Sequence, residues 1–222
     1  MSGLHPLQVE EIQRLTDDAV AISFSIPKEL VQHFSFKAGQ YLTLSQRIGD
    51  EQVRRSYSLC SAPHEGVLRV GIKAIPNGLF SNYANTQIKV GDTFEVGAPD
   101  GRFVYEPNGK NNLLLLAAGS GITPILSIAK TALKKTEGKV VLVYGNRSED
   151  DKMFADELQT LQTAYDQRFE IVHIYSRKKT TDALFGRIDM SHINYVRNTL
   201  FSQVNFDDFY AVSYTHLRAH ET

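Results

Sequence analysis

The chain has 222 residues, which is enough for two domains of about a hundred residues each. It carries 24 Lys and Arg against 25 Asp and Glu, so the net charge of −1 gives no argument for a nucleic-acid partner or an anionic membrane. The single cysteine, Cys60, excludes an internal disulfide framework and a cysteine-ligated metal centre within these residues. The sequence shows neither a basic segment followed by an apolar core nor a run of ~18 apolar residues. We therefore predict a cytoplasmic protein that binds no nucleic acid, membrane or metal.

The first hundred residues contain six short segments in which apolar and polar residues alternate. Turn signals such as KAGQ, PHEG and VGD separate these segments. Six short strands with such turns predict a six-stranded antiparallel β-barrel or a sandwich. The segments are LQVEEIQRL, AVAISFSI, GQYLTLSQRI, RRSYSLCS, VLRVGIKAI and DTFEVGAP.

The fourth segment, RRSYSLCS, places cations and an aromatic ring in one strand. Because side chains alternate between the two faces of a strand, Arg55 and Tyr57 share one face and Ser58 points to the other. At roughly 3.3 Å per residue, Arg55 and Tyr57 stand about 6–7 Å apart, so the guanidinium can hold a phosphate while the ring lies against an aromatic ligand. This pattern indicates a ligand with an anionic part and an aromatic part. The alternative is a solvated edge strand that carries Arg for solubility.

The stretch VGIKAIPNGLFSNYA predicts a turn at Gly78 that leads into a short helix. The start of such a helix offers main-chain N–H groups, and Ser81 offers a hydroxyl, to a phosphate oxygen. In the alternative interpretation Gly78 is only a turn glycine, Ser81 is an N-cap, and Phe80 and Tyr83 are core residues.

After GRFVYEPNGKNN the pattern changes to buried strands that alternate with helices. LLLLAAG is a continuous apolar run, typical of a strand buried on both faces of a parallel sheet, and GITPILSIAKTALKK has helical spacing. In DKMFADELQTLQTAY one helical stripe is formed by Phe154, Leu158, Leu161 and Tyr165. This alternation predicts an open parallel sheet of the Rossmann type. The other predicted elements are strands at KVVLVYGN, FEIVHIYSR and DDFYA and a helix at MSHINYVRNTLF.

The segment AAGSGITPI lies between the first buried strand and its helix. Gly119 and Gly121 allow a tight turn and let a phosphate approach main-chain N–H groups at the helix N-terminus, where Thr123 can add a hydroxyl. Pro124 stands where the usual dinucleotide fingerprint has a third glycine, and proline suits an early helical position. The alternative is a glycine-rich turn that binds no ligand.

The ends of the next two strands bear on the choice of dinucleotide. The second strand ends in Asn146 and Arg147, without a carboxylate that could bind an adenosine ribose 2′-hydroxyl. The third strand is followed by Ser176, Arg177 and two lysines, which suits a ribose 2′-phosphate. NADPH is therefore favoured over NADH. The alternative is a solvated basic loop.

Taken together, these motifs resemble those of the ferredoxin–NADP⁺ reductase-like flavoproteins in order and spacing, over nearly the whole chain up to Tyr210. Arg55-x-Tyr57-Ser58 is similar to the FAD motif of that family, and Ser176-Arg177 is similar to the pair found in its NADPH-selective members. Gly78 to Ser81 resembles its second flavin-phosphate motif, and Gly119 to Pro124 its nicotinamide-dinucleotide motif. Within the family, the order of LTL, RRSYSLC, VGIKAIPNG, AAGSGITPIL, VYGNRS and GRID resembles the reductase components of oxygenase systems that act on aromatic acyl-CoA substrates such as phenylacetyl-CoA.

The resemblance implies a role for each motif residue. Arg55 would pair with the FAD diphosphate, Tyr57 would lie against the isoalloxazine ring, and Ser58 would reach the flavin near N5. Tyr57 and Ser58 are therefore the predicted catalytic residues, although Ser58 requires a bend in the strand or a role for its main chain. Ile72, Lys73 and Ala74 would line the flavin with main chain. The implied cofactor-binding residues are Arg55, Tyr57, Ser58, Ile72, Lys73, Ala74, Gly78, Phe80, Ser81, Gly119, Ser120, Gly121, Ile122, Thr123, Pro124, Asn146, Arg147, Ser176 and Arg177.

The resemblance further implies an FAD-dependent oxidoreductase that takes a hydride from NADPH or NADH. It would then pass single electrons to an iron–sulfur centre that serves an oxygenase, or to another ferredoxin-type acceptor. The alternative function is a flavin-binding electron-transfer or regulatory subunit that does not oxidise a nicotinamide. A third hypothesis is a fragment that folds poorly.

Pro, Asn, Gly and Lys cluster between Pro107 and Asn112, which predicts a domain boundary there. We expect an FAD domain at residues 1–108 and an incomplete nucleotide domain at residues 109–211. The family has a Cys-Gly-Pro turn after a DDFY strand, whereas this sequence continues as AVSYTHLRAHET. Residues 212–222 show no strand or helix pattern and resemble a translated sequencing adapter, so we expect a non-native tail, with Ala211 doubtful. The [2Fe–2S] domain of such reductases would lie beyond it.

Overall fold

The computed structural model of the protein describes residues 3–213 and divides into two compact units. The first unit contains the residues up to Glu106 together with Leu126–Thr131. The second contains Pro107–Ile125 and the residues from Ala132 onward. Each unit has a β-sheet and a hydrophobic core of its own.

The first unit is built on a six-stranded antiparallel sheet, and all six predicted segments form its strands. They are β1 (Leu4–Thr16), β2 (Ala19–Ser25), β3 (Tyr41–Ile48), β4 (Glu51–Ser58), β5 (Leu68–Lys73) and β6 (Thr93–Gly97). Their order across the sheet is β4-β3-β6-β1-β2-β5. Leu59, just after β4, forms an antiparallel bridge with Val70 of β5, so the two edge strands meet and the sheet closes at that end. The predicted barrel is therefore confirmed.

The core of the first unit lies inside this curved sheet. Leu42 and Leu44 of β3 and Phe94 of β6 point into it and are fully buried. A short helix, α1 (Leu79–Thr86), adds Phe80 to the same core. Because the interior is filled by side chains, a ligand of this unit has to bind at the rim of the barrel and not within it.

The second unit is a parallel sheet with helices, as predicted. In chain order its elements are β7 (Leu113–Ala118), the two ends of α2 (Ile122–Lys135), β8 (Val140–Asn146), α3 (Ala155–Ala164), β9 (Phe169–Tyr175), β10 (Leu184–Phe185), α4 (Met190–Tyr195) and β11 (Asp208–Ser213). The strands lie in the order β10-β9-β8-β7-β11, and every neighbouring pair is parallel. The strand order reverses at β7, because successive strands are added on one side of it and β11 is added on the other.

Three local features differ from the sequence prediction. Strand β10 has only two residues, which is too short to produce a recognisable periodic pattern. Helix α4 continues as a π-helix over Val196–Leu200, so the predicted single helix changes its hydrogen-bond pattern midway. Helix α3 begins after Phe154, which is buried and has a left-handed φ of 60°, so the helix starts just after the first apolar residue of the predicted stripe.

Strand β11 also corrects an expectation about the end of the chain. The sequence shows no strand pattern after Ala211, but β11 continues through Val212 and Ser213 in register with Ala117 and Ala118 of β7. Parallel pairing joins main-chain groups, so it does not require a side-chain pattern of its own. The expected non-native segment thus starts inside a strand, and its residues 214–222 lie outside the described residues. Within residues 3–213, we find no helix long and apolar enough to cross a membrane.

Arg168 holds the loop between α2 and β8 in the second unit. Its guanidinium donates to the main-chain oxygens of Leu133, at 3.3 Å, and Thr136, at 2.7 Å, and twice to that of Gly138, at 3.2 and 3.1 Å. The first two oxygens belong to the C-terminal end of α2, where carbonyl groups lack partners within the helix. A cation at this end is also favourable for the helix dipole.

We expect Arg168→Ala to lower the free energy of unfolding of the second unit by about 2–3 kcal/mol, because several charge-assisted hydrogen bonds are lost together. Urea unfolding followed by circular dichroism measures this change. Lys134→Ala, at an exposed position of the same helix, is the matched control and should change stability by no more than about 0.5 kcal/mol. Equal effects of the two substitutions would contradict the assignment.

Candidate functional site

The predicted FAD motif lies at the end of β4. Arg55 and Tyr57 share the face of the strand that carries Val53 and Leu59, both of which are buried in the core. Arg55 is exposed, and its guanidinium donates to the main-chain oxygen of Arg54 at 2.7 Å. Within residues 3–213 it forms no ion pair. An exposed guanidinium without an acidic partner at the barrel rim fits an anionic ligand such as a diphosphate.

Tyr57 rests on Phe80, the first aromatic residue of α1. The two ring centroids are 5.5 Å apart with an interplanar angle of 37°, and Phe80 in turn contacts Phe94 at 6.1 Å. Phe80 is 1% exposed, so its side chain belongs to the core, as the alternative interpretation predicted. Tyr57 is only half-buried. The tyrosine therefore keeps a surface available to a planar ligand, and Phe80 supports it from below.

Ser58 lies on the opposite face from Tyr57 and is the last residue of β4. It pairs with Tyr41 of β3, and the next residue, Leu59, already bridges to Val70 of β5. The Leu59 N–H also donates to the Gln40 main-chain oxygen at 2.9 Å, so the chain after Ser58 pairs on both sides. The contact between Ser58 and a ligand on the Tyr57 face stays a prediction.

The end of β5 can offer main chain but few side-chain atoms. Ile72 is fully buried, and the Lys73 ammonium lies 3.1 Å from the Asp18 carboxylate in the β1–β2 turn. The Ala74 N–H donates to the Asp18 main-chain oxygen at 2.7 Å. These contacts hold the end of β5 against the β1–β2 turn, and the role of Ile72, Lys73 and Ala74 in lining a flavin with main chain stays a prediction.

The start of α1 is shaped by a close approach at Gly78. A Cβ atom there would lie 2.4 Å from the Ser81 hydroxyl oxygen and 2.5 Å from the Ile75 side chain, so only glycine fits. Ser81 is 6% exposed, and its hydroxyl accepts from the Ile75 N–H at 3.3 Å and donates to the Gly78 oxygen at 3.4 Å. The helix N-cap is Gly78, not Ser81. Ser81 therefore holds the turn, and the N–H groups of the first helical turn are what a phosphate can reach.

The predicted dinucleotide turn follows β7 as a short 3₁₀ segment over Gly119–Gly121. Its two glycines are required for different reasons. Gly119 has a left-handed φ of +55°, and no atom lies within 4 Å of the position where a Cβ would be. Gly121 has an ordinary φ, but a Cβ there would lie 2.5 Å from the Val212 carbonyl oxygen of β11. The turn is thus open above Gly119 and tightly packed at Gly121.

The residues after this turn support it from inside. Thr123 is 3% exposed, and its hydroxyl donates to the Ser120 main-chain oxygen at 3.1 Å. Ile122 is fully buried, and Pro124 occupies the first turn of α2, where no intrahelical donor is needed. Ser120 is half-buried at the edge of the turn. Of the predicted side chains here, only Ser120 remains accessible to a ligand.

Tyr144 and Asn146 of β8 lie beside the turn. Tyr144 is fully buried, its hydroxyl lies 3.4 Å from both the Gly119 and Met153 main-chain oxygens, and burial raises its pKa. Asn146 is 8% exposed, and its amide lies close enough to the Tyr144 hydroxyl to oppose the rise of that pKa, but neither amide atom has a hydrogen-bond partner of good geometry among the described residues. A buried amide normally has partners. Its position at the carboxyl edge of the sheet, where the strand order reverses, is the place where α/β sheets bind nucleotides.

The two predicted basic strand ends are brought together by the sheet. The Ser176 N–H donates to the Asn146 oxygen at 3.0 Å, and the Arg177 N–H donates to the Arg147 oxygen at 2.9 Å. Main-chain hydrogen bonding between the two segments therefore continues beyond Asn146 and Tyr175, the last residues of β8 and β9. It places the exposed residues Arg147 and Arg177 side by side, which favours an anion between them.

Arg187 is a further exposed cation at this edge, and the motifs did not point to it. Strand β10 pairs with β9 so that Phe185 lies opposite Tyr175, and the Gly186 N–H donates to the Tyr175 oxygen at 3.0 Å. Arg187 is exposed and leaves the sheet at the same edge as Arg177. The available signal was its place in the GRID motif, but the motif alone does not reveal which strand it follows. Lys179, by contrast, lies 4.9 Å above the Phe185 ring and so has a structural contact.

His173 is a half-buried titratable group of this unit. Its ring stacks on Tyr175 with centroids 5.9 Å apart and an interplanar angle of 14°, and its Nδ1 has no hydrogen-bond partner among residues 3–213. Burial lowers the pKa of His173 to about 4, and the nearby Lys152 cation acts in the same direction. Glu149 and Asp182 oppose the shift. The imidazole is therefore neutral near pH 7.

The described residues contain no group of three or more His, Cys, Asp or Glu side chains that could hold a metal ion. Cys60 is fully buried, and its thiol donates to the Arg69 main-chain oxygen at 3.2 Å. That contact is consistent with the prediction of a packed, small apolar residue.

Each of the two units matches a known protein family. Residues 6–105 match the oxidoreductase FAD-binding domain family, and residues 115–206 match the oxidoreductase NAD-binding domain family. The chain thus belongs to the ferredoxin–NADP⁺ reductase-like oxidoreductases, with an FAD-binding domain followed by an NAD-binding domain. The resemblance inferred from the motifs is confirmed.

Among individual relatives, the chain is 40% identical to a subunit of the 1,2-phenylacetyl-CoA epoxidase of Escherichia coli, over 85% of this chain and 54% of that protein. It is 42% identical to the ferredoxin reductase component of 3-ketosteroid-9-alpha-monooxygenase of Rhodococcus rhodochrous, over 75% of this chain and 48% of that protein. The chain therefore spans about half the length of these relatives. The crystal structure of a ferredoxin NADP⁺ reductase from Neisseria gonorrhoeae with bound FAD and NADP shares the fold, with a TM-score of 0.78 and 21% identity over 95% of this chain and 85% of that one.

Four glycines combine a left-handed φ with free space at the Cβ position, and two of them, Gly119 and Gly109, provide a matched test of the dinucleotide turn. Gly119 and Gly109 have φ of +55° and +52°, and neither has an atom within 4 Å of its Cβ position. An alanine at either site should cost about 1 kcal/mol of stability through the left-handed backbone. Only Gly119→Ala should weaken NADP⁺ binding, by at least about tenfold, because its methyl group fills the space that the phosphate would occupy.

Isothermal titration calorimetry with NADP⁺ measures the binding, and urea unfolding measures the stability of both variants. If Gly109→Ala weakens binding as much as Gly119→Ala does, the turn is not the binding element.

His173 should make the second unit less stable in mild acid. Its pKa is about 4 in the folded protein and near 6.5 in an unfolded chain. Between these values the unfolded state binds the proton more readily, so stability is full above about pH 6.5 and falls as the pH decreases towards 4. The loss should be at most about 3 kcal/mol. His173→Phe keeps an aromatic ring for the stack, and urea unfolding at pH 7 and pH 4.5 should then differ less than in the unmodified protein. An unchanged pH difference would show that another group is responsible.

Proposed function

We propose that this chain is the NAD(P)H-oxidising flavin reductase of a multicomponent oxygenase. Its two domains would receive a hydride from the nicotinamide and pass single electrons to an iron–sulfur centre. The proposal is supported by the family of both domains and by relatives that are named as reductase or epoxidase components. The observation that carries it is the open turn at Gly119 beside the buried Asn146 amide, which lacks a well-formed hydrogen bond, since a flavin binder that uses no nicotinamide has no need of either.

Bound FAD would supply the redox chemistry, because a flavin accepts a hydride and releases electrons one at a time. The residues of the first unit would position it. Arg55 would hold the diphosphate, with the N–H groups at the start of α1 as a second anchor. Tyr57, supported by Phe80, would lie against the flavin ring, and Ser58 would face it from the strand end. We propose residues 1–108 as the FAD domain and residues 109–211 as the nucleotide domain.

The residues of the second unit would select the dinucleotide. Main-chain N–H groups of the Gly119–Gly121 turn would bind its diphosphate. Arg147 and Arg177, which adjacent strands hold side by side, would bind the 2′-phosphate of NADPH together with the Ser176 hydroxyl. Arg187 is added to this group because it leaves the sheet at the same edge. NADPH is thus the proposed donor, and NADH a weaker one.

The electron acceptor is proposed from the names of the relatives. One relative is a subunit of 1,2-phenylacetyl-CoA epoxidase, so an oxygenase that acts on an aromatic acyl-CoA, such as phenylacetyl-CoA, is the proposed partner. A ferredoxin-type [2Fe–2S] centre would stand between the flavin and that oxygenase. The reaction is expected to take place in the cytoplasm, where NADPH is available.

Anaerobic mixing of the FAD-loaded protein with NADPH tests the function. The visible absorption of the flavin should disappear rapidly, and NADH should give the same change at higher concentration. Loss of absorption requires that a hydride reaches the flavin. If FAD stays bound but is not reduced by either nucleotide, the chain is an electron-transfer or regulatory subunit. If the protein binds no FAD after refolding with an excess, the proposed function is wrong.

The dinucleotide preference has its own test. Arg177→Ala should weaken NADPH binding about 10- to 100-fold, the effect of one charge-assisted contact to a phosphate, and should leave NADH nearly unchanged. Stopped-flow reduction over a range of nucleotide concentrations gives both affinities. Lys135→Ala removes the same charge from the C-terminal end of α2, at the far edge of the sheet, and should change neither. A parallel loss of NADPH and NADH affinity in Arg177→Ala would exclude a 2′-phosphate contact.

A further inference from the structure

A buried asparagine links the two segments of the first unit that are proposed to hold the flavin. Asn85 lies in the last turn of α1 and is 9% exposed. Its Nδ2 donates to the main-chain oxygen of Ile72, at 3.2 Å, and to that of Ser81, at 2.8 Å. Ile72 is in the strand end proposed to line the flavin, and Ser81 is in the helical turn proposed to meet its diphosphate. One side chain thus joins the main chain of α1 to that of β5.

Arg14 of β1 holds this asparagine from outside. One guanidinium nitrogen donates to Asn85 Oδ1 at 3.0 Å, and the other donates to the Asn85 main-chain oxygen at 2.6 Å. Arginine has donors only, so Oδ1 must face it, and this orientation turns both amide hydrogens towards the two carbonyl oxygens. Arg14 also meets the C-terminal carbonyl end of a helix, where a cation is favourable. Both the donor and the acceptor of the Asn85 side chain are therefore used.

Helix α1 needs such a support because it is short. Its eight residues are too few to be stable as a helix on their own, so tertiary contacts must fix its direction. Phe80 anchors its first turn in the core, but an apolar contact does not fix the rotation of the helix about its axis as directional hydrogen bonds do. Ser81 and Asn82 tie the first turn to Ile75 in the loop after β5, and Asn85 ties the last turn to Ile72 within β5 itself.

We infer that Asn85, clamped by Arg14, is a positioning residue for the flavin: it sets the start of α1 against the end of β5 at the spacing that the diphosphate and the ring of the same cofactor require. The inference rests on the proposed binding of FAD. Asn85 touches no ligand in this arrangement. It acts through the main chain of Ile72 and Ser81.

Asn85→Leu is the direct test, because leucine has a similar volume and removes the side-chain hydrogen bonds to Arg14, Ile72 and Ser81. We expect FAD to bind at least tenfold more weakly and the FAD that remains bound to show altered visible circular dichroism, because the ring is held differently. Binding of NADP⁺, which occurs in the other unit, should be unchanged. Thr86→Ala is the matched control. Its hydroxyl donates only to the Asn82 oxygen within the same helix, at 2.8 Å, and FAD binding should stay as in the unmodified protein.

A second variant keeps the inference testable if Asn85→Leu does not fold. Arg14 is exposed, so Arg14→Ala removes the clamp without changing the core, and it should weaken FAD binding several-fold. Arg14→Lys, which can reach one of the two oxygens, should restore part of the loss. Asn85→Leu keeps the main-chain oxygen that Arg14 also contacts, so adding Arg14→Ala to it should cause a smaller loss than Arg14→Ala causes in the unmodified protein.

The outcomes separate this inference from the proposed function. If the unmodified protein binds FAD and both Asn85→Leu and Arg14→Ala bind it equally well with the same spectrum, the positioning role is wrong and the function stands. Independent, additive losses in the double variant would also overturn the clamp. If the unmodified protein binds no FAD, the proposed function itself is wrong.

Discussion

The second unit depends on one constraint. The chain must leave β7, turn and begin helix α2 while the main-chain N–H groups of the turn stay uncovered. Gly119 meets it by taking a left-handed conformation with open space above it, and Gly121 meets it by allowing the main chain of β11 to approach closely. The buried Tyr144 hydroxyl lies against the Gly119 carbonyl from below. Because β7 is where the strand order reverses, the helix connections diverge around this turn and leave it accessible at the carboxyl edge of the sheet.

The first unit also has to leave ligand-binding groups uncovered, but it does so in another way. Its barrel is filled by its own side chains, so ligand-binding groups can stand only where strands end. Arg55 and Tyr57 lie near the end of β4, and α1 starts shortly after β5. The rim therefore offers three binding groups: the exposed Arg55 guanidinium, the half-buried Tyr57 ring on Phe80, and the start of α1. Together they suit a single ligand that is anionic at its centre and planar at its end. Gly78 is required here by close approach, as Gly121 is in the other unit.

The sequence predicted which residue types occur at the site better than it predicted which way their side chains point. Arg55, Gly119 and Arg177 stand where a ligand can reach them, as the motifs indicated. Ser81 and Thr123 have the right chemistry for a phosphate, but their hydroxyls point back into the turns that they stabilise. A sequence motif records that a hydroxyl is needed near a helix start. It does not record whether the hydroxyl serves the ligand or the turn, because both uses require the same residue at the same position.

By itself, the sequence determined the two-part architecture, since alternation with a period of two marks antiparallel strands and continuous apolar runs between helices mark a parallel sheet. It also determined where the chain turns, because glycine and proline restrict the backbone locally. Only the tertiary structure decided that β10 brings Arg187 beside Arg177, that β11 continues along β7, and that Arg14 clamps Asn85 across 71 positions of sequence. Main-chain pairing and long-range hydrogen bonds join partners that carry no local pattern in common, so their meeting is fixed by the packing of the whole unit.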